Sequence, residues 1–517
     1  MNIALLLEMA ADGAGDRVAL GSRSGGTSYA ELLRRARNTA GWLASHDGQR
    51  AALLDGNSPA VPLLLFGAAL AGRAFAPVSY RLAEPQLRTL LSRLAPGVLI
   101  TGANAAVPEP LPADLTAWPR AELLAAADRE TGLPASHGGP DDVAVLLFTS
   151  GTSGEPKAAV LRHRQLVSYV IGSVEFLAAD PGEAALISVP PYHIAGISAI
   201  LSSVYAGRRI VQLESFDAER WVRVVNDEQI THAMVVPTML GRIVDYLIDS
   251  GDHVPSLRHL SYGGGRMPAP AIEKALDLLP RVNFVNAYGL TETSSTIAVL
   301  DSADHRRFAA SDDPGERQRL GSVGHPLPTV QLEIRGLDGA PVAPGVPGEV
   351  VVRGEQVAGE YLGDSRRDAD GWFATHDAGY LDDAGYLFLT GRLDDVIVRG
   401  GENLSPGEIE DVLLTHPAVR DVAVIGLPDA EWGEQVVAVV VLADGAPATG
   451  ASADGAAADF AAADSAAADE PTLQQWVRDR LRSSRTPSRV EFVPALPYNE
   501  TGKLLRRKLR DQFCGGG

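Results

Sequence analysis

The sequence predicts an α/β fold: parallel sheets covered on both faces by helices, followed by a smaller β-rich unit. Three observations predict it. Through residues 1–140 and again from 185 to 237, apolar runs of strand length alternate with helix-period patterns, the signature of parallel strands joined by crossover helices. From 330 to 352 the pattern turns β-rich with Gly and Pro turns, the mark of an antiparallel unit. The chain has 517 residues, enough for more than one core and for about three domains.

Taken in order, Leu32, Leu33, Ala36, Ala40 and Leu43 share one face at helical spacing. Residues 51–54 read as a short strand closed by Asp55-Gly56-Asn57, a turn triplet. Residues 143–148 read as a buried strand and 158–161 as a second, so the intervening loop joins two strands and does not cap a helix. Residues 185–189 read as strand, 218–226 as helix, and 233–236 as a strand ending at Pro237. Residues 443–471 are nearly all Ala, Asp, Gly and Ser, with too little apolar bulk to pack, and read as a flexible surface insertion. Replacing them with a short Gly/Ser linker is expected to leave soluble yield and turnover intact, because added loop length costs little closure entropy. A large loss of either would mark the segment as a structured element. A helix resumes at Leu473, Trp476, Val477 and Leu481, and no internal repeat is apparent.

Composition excludes several classes of function. The formal charge is −20, so there is no basic excess with which to neutralise a nucleic acid. An anionic substrate must be held by local cations against that field. Cys514 is the one cysteine, which rules out an internal disulfide framework or a cysteine zinc site and matches a reducing cytoplasm. Residues 1–8 lack the basic start of a secretory signal. The longest apolar run, 60–72, carries a proline and is too short to span a bilayer, so no membrane insertion is expected.

The chemistry is concentrated in short motifs. Thr149-Ser150-Gly151-Thr152-Ser153-Gly154-Glu155-Pro156-Lys157 packs hydroxyls, glycine amides and a lysine into one loop, a donor set suited to polyphosphate. Its spacing is not that of a Walker A loop. Downstream come Tyr262-Gly263-Gly264-Gly265-Arg266, Asn286-Ala287-Tyr288-Gly289-Leu290-Thr291-Glu292, Asp377-Ala378-Gly379-Tyr380, Gly391-Arg392-Leu393-Asp394-Asp395, Gly400-Gly401-Glu402-Asn403 and Gly502-Lys503. Over roughly residues 15–510 this ordered set resembles the adenylate-forming superfamily, which includes acyl-CoA synthetases, amino-acid adenylation domains and beetle luciferases.

The resemblance implies a large N-terminal domain (1–393) of two doubly covered sheets plus a distorted β-barrel. It also implies a small mobile α+β C-terminal domain (394–517) hinged at Asp394. It implies ATP, Mg²⁺ and coenzyme A as cofactors. A carboxylate is a poor electrophile; joined to AMP it gains a good leaving group. Both reactants are anions, so catalysis rests on positioning and charge stabilisation.

By the resemblance, residues 149–157 cradle the β- and γ-phosphates. Thr291 meets the α-phosphate and Glu292 holds Mg²⁺; read without the family, Glu292 is a helix-start acid following a threonine. Asp377 and Arg392 contact the ribose, Gly264 and Gly265 lie along adenine, Asn286 reads its edge and Tyr288 stacks on it, within the 286–289 segment that includes Ala287 and Gly289. Lys503 bridges the carboxylate and the α-phosphate in adenylation, although a basic tail (Arg506, Arg507, Lys508, Arg510) follows it. Gly400, Gly401 and Glu402 match the loop lining a pantetheine tunnel.

Two departures stand out. His376 occupies the place of the usual glycine before Asp377, and Ser484-Arg485 replaces an aromatic–lysine pair. The acid pocket falls to Tyr192, His193 and Ile194, Val235 and Val236, Gly263 to Gly265, Ala287 and Leu290. No aspartate near His193 is present to hold an α-ammonium, which favours a largely apolar acid: fatty, aromatic or polycyclic. His193 reads as a gate, a carboxylate contact or a core residue. The expected activity is ATP-dependent formation of acyl-AMP and transfer to coenzyme A. An acyl carrier protein as acceptor, and a non-catalytic binding protein on the same fold, are the alternatives.

Overall fold

The structure is a computed structural model; it describes residues 1–129, 138–150, 156–443, 468–498 and 504–514. The 444–467 part of the low-complexity segment and residues 151–155 and 499–503, Lys503 among them, lie outside the described residues. Residues 468–471, expected to belong to the flexible insertion, are structured: Ala468 is buried, Asp469 caps and Glu470 and Pro471 open the helix Glu470–Arg478, so the linker replacement applies to 444–467.

Two large sheets dominate. The nine-stranded sheet runs 325–326, 295–300, 283–290, 259–263, 232–235, 184–187, 209–212, 18–20, 27–28. Its centre, from 283–290 to 209–212, is parallel. The eight-stranded sheet runs 364–365, 360–361, 156–162, 143–150, 74–77, 50–54, 97–101, 115–119. Helices Ala4–Ala14, Tyr29–Ala44, Ala60–Leu70, His163–Ser173 and Ile194–Ala206 share one core with residues of both sheets, among them Ile210 and Ile187 on one side and Leu53, Phe75 and Val145 on the other. Helices Ala218–Asp227, Pro237–Ser250, Ala269–Leu278 and Ser302–Ala310 cover the outer face of the nine-stranded sheet, and Glu84–Ser92 packs on that of the eight-stranded one. This is the double covering that the alternating pattern predicts. Ala60–Leu70 is buried on every side, which explains an apolar run without amphipathic periodicity. No described helix is long and apolar enough to cross a membrane.

A four-stranded antiparallel sheet (330–335, 348–354, 373–381, 387–392) stands where the resemblance implies a distorted barrel. Its last strand ends at Arg392, and the next, Ile397–Arg399, already belongs to a fourth sheet. That sheet is built on the long hairpin Val419–Asp429 and Gly433–Leu442. Helices Pro406–Leu414 and Glu470–Arg478 pack on one of its faces through Ile409, Leu413, Leu473 and Val477, and Arg506–Cys514 packs on the other through Leu509.

His163 ties the chain start to the first core. Its Nδ1 accepts the Ile3 amide at 3.3 Å, so the ring is neutral at that nitrogen. Burial pushes its pKa from 6.5 down to about 4. A neutral folded imidazole that would protonate when unfolded stabilises fully above about pH 6.5 and loses that stability as pH falls toward 4. Between pH 7 and pH 5 this group alone is expected to cost about 2 kcal/mol. His163→Leu should flatten the drop in urea midpoint over that interval by a matching amount, and an unchanged pH slope would refute the linkage.

Candidate active site

The motif residues of the large domain converge where three sheets meet. The eight-stranded sheet supplies the phosphate hairpin, Val143–Ser150 paired with Pro156–Arg162 in the register Thr149↔Lys157. The loop does join two strands. Gly151, Thr152, Ser153 and Gly154 at its tip lie outside the described residues. Beside the second strand runs Glu360–Tyr361, with Tyr361 paired to Ala159 and Glu360 gripping Arg162 through two bonds of 2.9 and 2.6 Å.

The nine-stranded sheet supplies Asn283–Leu290 and the tight turn Thr291–Thr293. Thr293 staples that turn: its hydroxyl accepts the Leu290 amide at 2.9 Å and lies 2.7 Å from the Ser295 carbonyl. Ser294 and Ser295 follow at φ 56° and 114°, backbone that β-carbon-bearing residues seldom adopt. Gly289 is required here, since a Cβ on it would sit 2.0 Å from the Ser295 carbonyl oxygen. Glu292 is buried, 8% exposed, and its Oε1 accepts the Tyr361 hydroxyl at 2.5 Å. Burial and the Glu292 carboxylate together push the Tyr361 phenol's pKa upward, so it stays a donor. Across the same ring lies the Lys157 ammonium, 5.7 Å from the centroid. A cation from one sheet, over the ring, and a carboxylate from another, at the hydroxyl, thus meet at one tyrosine.

The four-stranded sheet supplies Asp377 and Arg392, register partners on adjacent strands. Asp377 accepts the Tyr288 hydroxyl at 2.7 Å and the Arg392 guanidinium at 2.9 Å. Burial, then the Asp377 charge, holds the Tyr288 phenol well above its ordinary pKa. A carboxylate has about four lone-pair sites, so Asp377 retains acceptor capacity for a ribose diol. The His376 departure has a conformational explanation. His376 sits at φ 58°, where glycine is favoured, but its side chain points to solvent beside Glu349, 3.3 Å away. The imidazole therefore displaces nothing around Asp377.

Gly264 and Gly265 lie exposed at the end of strand His259–Gly263, whose register brings Gly263 beside Ala287 and Tyr262 beside Asn286. The Asn286 amide nitrogen donates to the Ser322 carbonyl at 3.1 Å, leaving its oxygen for other partners. His193 immediately precedes the helix Ile194–Ala206 and packs its ring 4.7 Å from that of Tyr192, which in turn meets Tyr80. Its Nε2 is buried without a partner among the described residues, and burial pushes its pKa down to about 4. A neutral imidazole with one unsatisfied nitrogen suits a ligand contact better than a plain core role.

The second set stands apart. Gly400 and Gly401, at φ 58° and 83°, turn the hairpin of Ile397–Arg399 and Glu402–Leu404. A Cβ on Gly400 would meet the Trp432 ring at 2.9 Å. Glu402 lies 3.8 Å from Arg485, which Glu408 engages at 2.9 Å, so the arginine that replaces the usual lysine already faces two carboxylates.

Tyr361, which joins Glu292 and Lys157, is a residue of this cluster that the sequence did not single out. It lies in a two-residue strand without periodicity, and its significance comes only from pairing with Ala159. Gln356 was missed too; its amide bonds the carbonyls of Thr293 and Thr296, bracing the Glu292 turn.

Comparison with known proteins agrees with this geometry. The chain is 35% identical over 503 residues to a feruloyl-CoA synthase of Amycolatopsis sp, covering 95% of each. It is 32% identical to a fatty acid–[acyl-carrier-protein] ligase of Streptomyces coeruleorubidus, covering 94% of this chain and 92% of that one. Among solved structures, o-succinylbenzoate CoA synthetase from Bacillus subtilis, in complex with its acyl-adenylate intermediate, superposes with a TM-score of 0.82 at 26% identity over 98% of both chains. The family model for AMP-binding enzymes matches residues 7–362 and that for their C-terminal domain matches 408–503, so the chain belongs to the AMP-binding enzyme family of adenylate-forming ligases.

Proposed function

We infer that the chain activates a largely apolar carboxylic acid with ATP and passes the acyl group to coenzyme A, releasing AMP and pyrophosphate. The observation that carries this is the convergence of Lys157, Tyr361 and Glu292 with Tyr288, Asp377 and Arg392 from three sheets. One end offers a cation and an acid at a hydroxyl-rich hairpin; the other offers an acceptor carboxylate backed by an arginine. That is the polarity of a nucleoside triphosphate: phosphates at the hairpin, ribose at Asp377. Among the described residues no group of three or more His, Cys, Asp or Glu could hold a metal by itself. A lone carboxylate fits Mg²⁺ delivered with ATP, since that ion takes one or two carboxylates and fills the rest with phosphate and water. We assign Glu292 that part, Thr291 the α-phosphate, and Lys503 the charge on the transferring phosphoryl group.

We assign the acid pocket to the region of Tyr192, His193 and Val236; none of these is a carboxylate, which supports an apolar tail with a single carboxyl group. Aromatic acids of the feruloyl type and fatty acids are the first candidates. We place the domain border at Asp394 and the protein in the cytoplasm. The test is acid-dependent pyrophosphate exchange over a panel of aromatic, fatty and polycyclic acids. Exchange with at least one apolar acid is expected; none across the panel would overturn the reading. A carrier-protein acceptor is a second reading, favoured by the carrier-protein ligase among the relatives. Thioester formation with free coenzyme A against a purified carrier separates the two.

A further inference from the structure

One cluster outside the nucleotide site is not used by that reaction scheme. Arg266 directly follows the glycine segment 263–265 of the large domain. Its side chain reaches across to the helix Pro406–Leu414, at the entrance of the small domain. There Nη1 donates to the Gly407 carbonyl at 2.6 Å and Nη2 pairs directly with Asp411. Nη1 also lies 4.0 Å from Glu410. Glu410 is 9% exposed at its side chain and accepts Arg506 at 2.5 Å. Arg506 opens the terminal helix three residues after Lys503 in sequence. A chain of charge therefore runs from the glycine segment through Arg266 and Glu410 to the helix that follows Lys503. Ser405, hydrogen-bonded to the Thr390 carbonyl, adds a neutral contact beside it.

Elsewhere on the small domain, the Gly400 turn is exposed in this arrangement. Val398 and Trp432, which flank Gly400, are 48% and 50% exposed. The polar contacts around that turn are internal: Arg399 donates to the Ser484 carbonyl, and Arg485 faces Glu402 and Glu408. Large apolar residues left in water beside a glycine turn are what a face looks like before it closes on a partner surface. The orientation described here leaves the Gly400 turn of the small domain exposed, so it is not one in which that turn serves the nucleotide site.

We propose that Arg266 is a positioning residue, a latch that holds the small domain in the orientation for acyl-adenylate formation and must release before thiol attack. This rests on the acid-activating reading above. Arg266 touches no reacting atom; it acts through the Glu410–Arg506 pair and the backbone of Gly407. A guanidinium bound to one carbonyl and one carboxylate fixes both distance and orientation, which a lone charge would not.

The test compares wild type, Arg266→Ala, and the charge swap Arg266→Asp with Asp411→Arg. Pyrophosphate exchange should fall about ten- to a hundredfold in Arg266→Ala, the scale of a misplaced catalytic group. It should fall in kcat with little change in KM for ATP, and the swap should recover most of it. Conversion of supplied acyl-AMP and coenzyme A to thioester should hold or rise in Arg266→Ala. An activity-independent readout accompanies these: spin labels on Ile248→Cys and Asp479→Cys in a Cys514→Ser background. The interdomain distance distribution should be narrow in wild type, broad with Arg266→Ala and narrow again in the swap. Identical distributions in all three, parallel loss of both half-reactions, or no recovery by the swap each overturn the latch. Broadening and recovery of the distances in a protein without exchange on any acid would uphold the latch as a domain contact and overturn the acid-activating reading instead.

Discussion

Lys503→Ala is expected to lower acyl-adenylate formation by about a thousandfold or more, because the lost charge acts on the phosphoryl group in the transition state. The same variant should still convert supplied acyl-AMP and coenzyme A to thioester. Gly401→Leu should do the reverse, forming adenylate but stalling at the thioester. The structure sharpens this second arm. A Cβ at Gly401 meets no atom within 4 Å, but the residue sits at φ 83°, so any side chain there strains the backbone. Gly401→Ala carries that strain without the bulk, and is expected to keep most of the thioester activity that Gly401→Leu loses. Gly400 is the poorer probe, because its Cβ would strike Trp432 within the same domain. Measuring both half-reactions in each variant decides the matter; parallel losses in Lys503→Ala and Gly401→Leu would show that the two faces of the small domain do not alternate at one site.

The second large effect is expected at Glu292. Glu292→Gln keeps an acceptor for the Tyr361 hydroxyl, and so keeps the contact between the nine-stranded sheet and the Glu360–Tyr361 strand. What it removes is the charge. The expected result is a fall of about tenfold or more in kcat/KM for Mg-ATP, with saturation shifted to higher Mg²⁺. Tyr361→Phe separates the roles: it removes the hydrogen bond and leaves the carboxylate. A smaller effect than Glu292→Gln is expected of it, with the Mg²⁺ dependence unchanged. An unaltered rate and Mg²⁺ dependence in Glu292→Gln would remove Glu292 from the site.

The sequence by itself determined what is local. Alternating apolar runs and turn residues located the strands 50–54, 143–150 and 232–235 and the helices 29–44 and 218–227 to within a few residues, and marked 330–352 as β-rich, because period and punctuation depend on neighbouring positions. The phosphate hairpin was legible for the same reason: two strands with donors between them form one contiguous stretch. The motifs also named Lys157, Tyr288, Glu292, Asp377 and Arg392, but through their resemblance to a family and not through any spacing that puts them together.

Their convergence was decided by tertiary structure. Lys157 and Glu292 approach one ring only because Tyr361 pairs with Ala159, some two hundred residues earlier in the chain. Asp377 meets Tyr288 because the four-stranded sheet packs against the edge of the nine-stranded one through Tyr288, Ile297 and Val350. Tyr361 lay in no motif and Arg266 only closed the glycine segment, and the importance of both is a matter of what lies opposite. His376 shows the converse: an imidazole stands where the resemblance implies a glycine, but a left-handed backbone turns it to solvent. Residue type and order are properties of the chain, whereas a partner across a sheet, or the direction in which a side chain points, exists only once long-range strand pairing and packing have set the backbone.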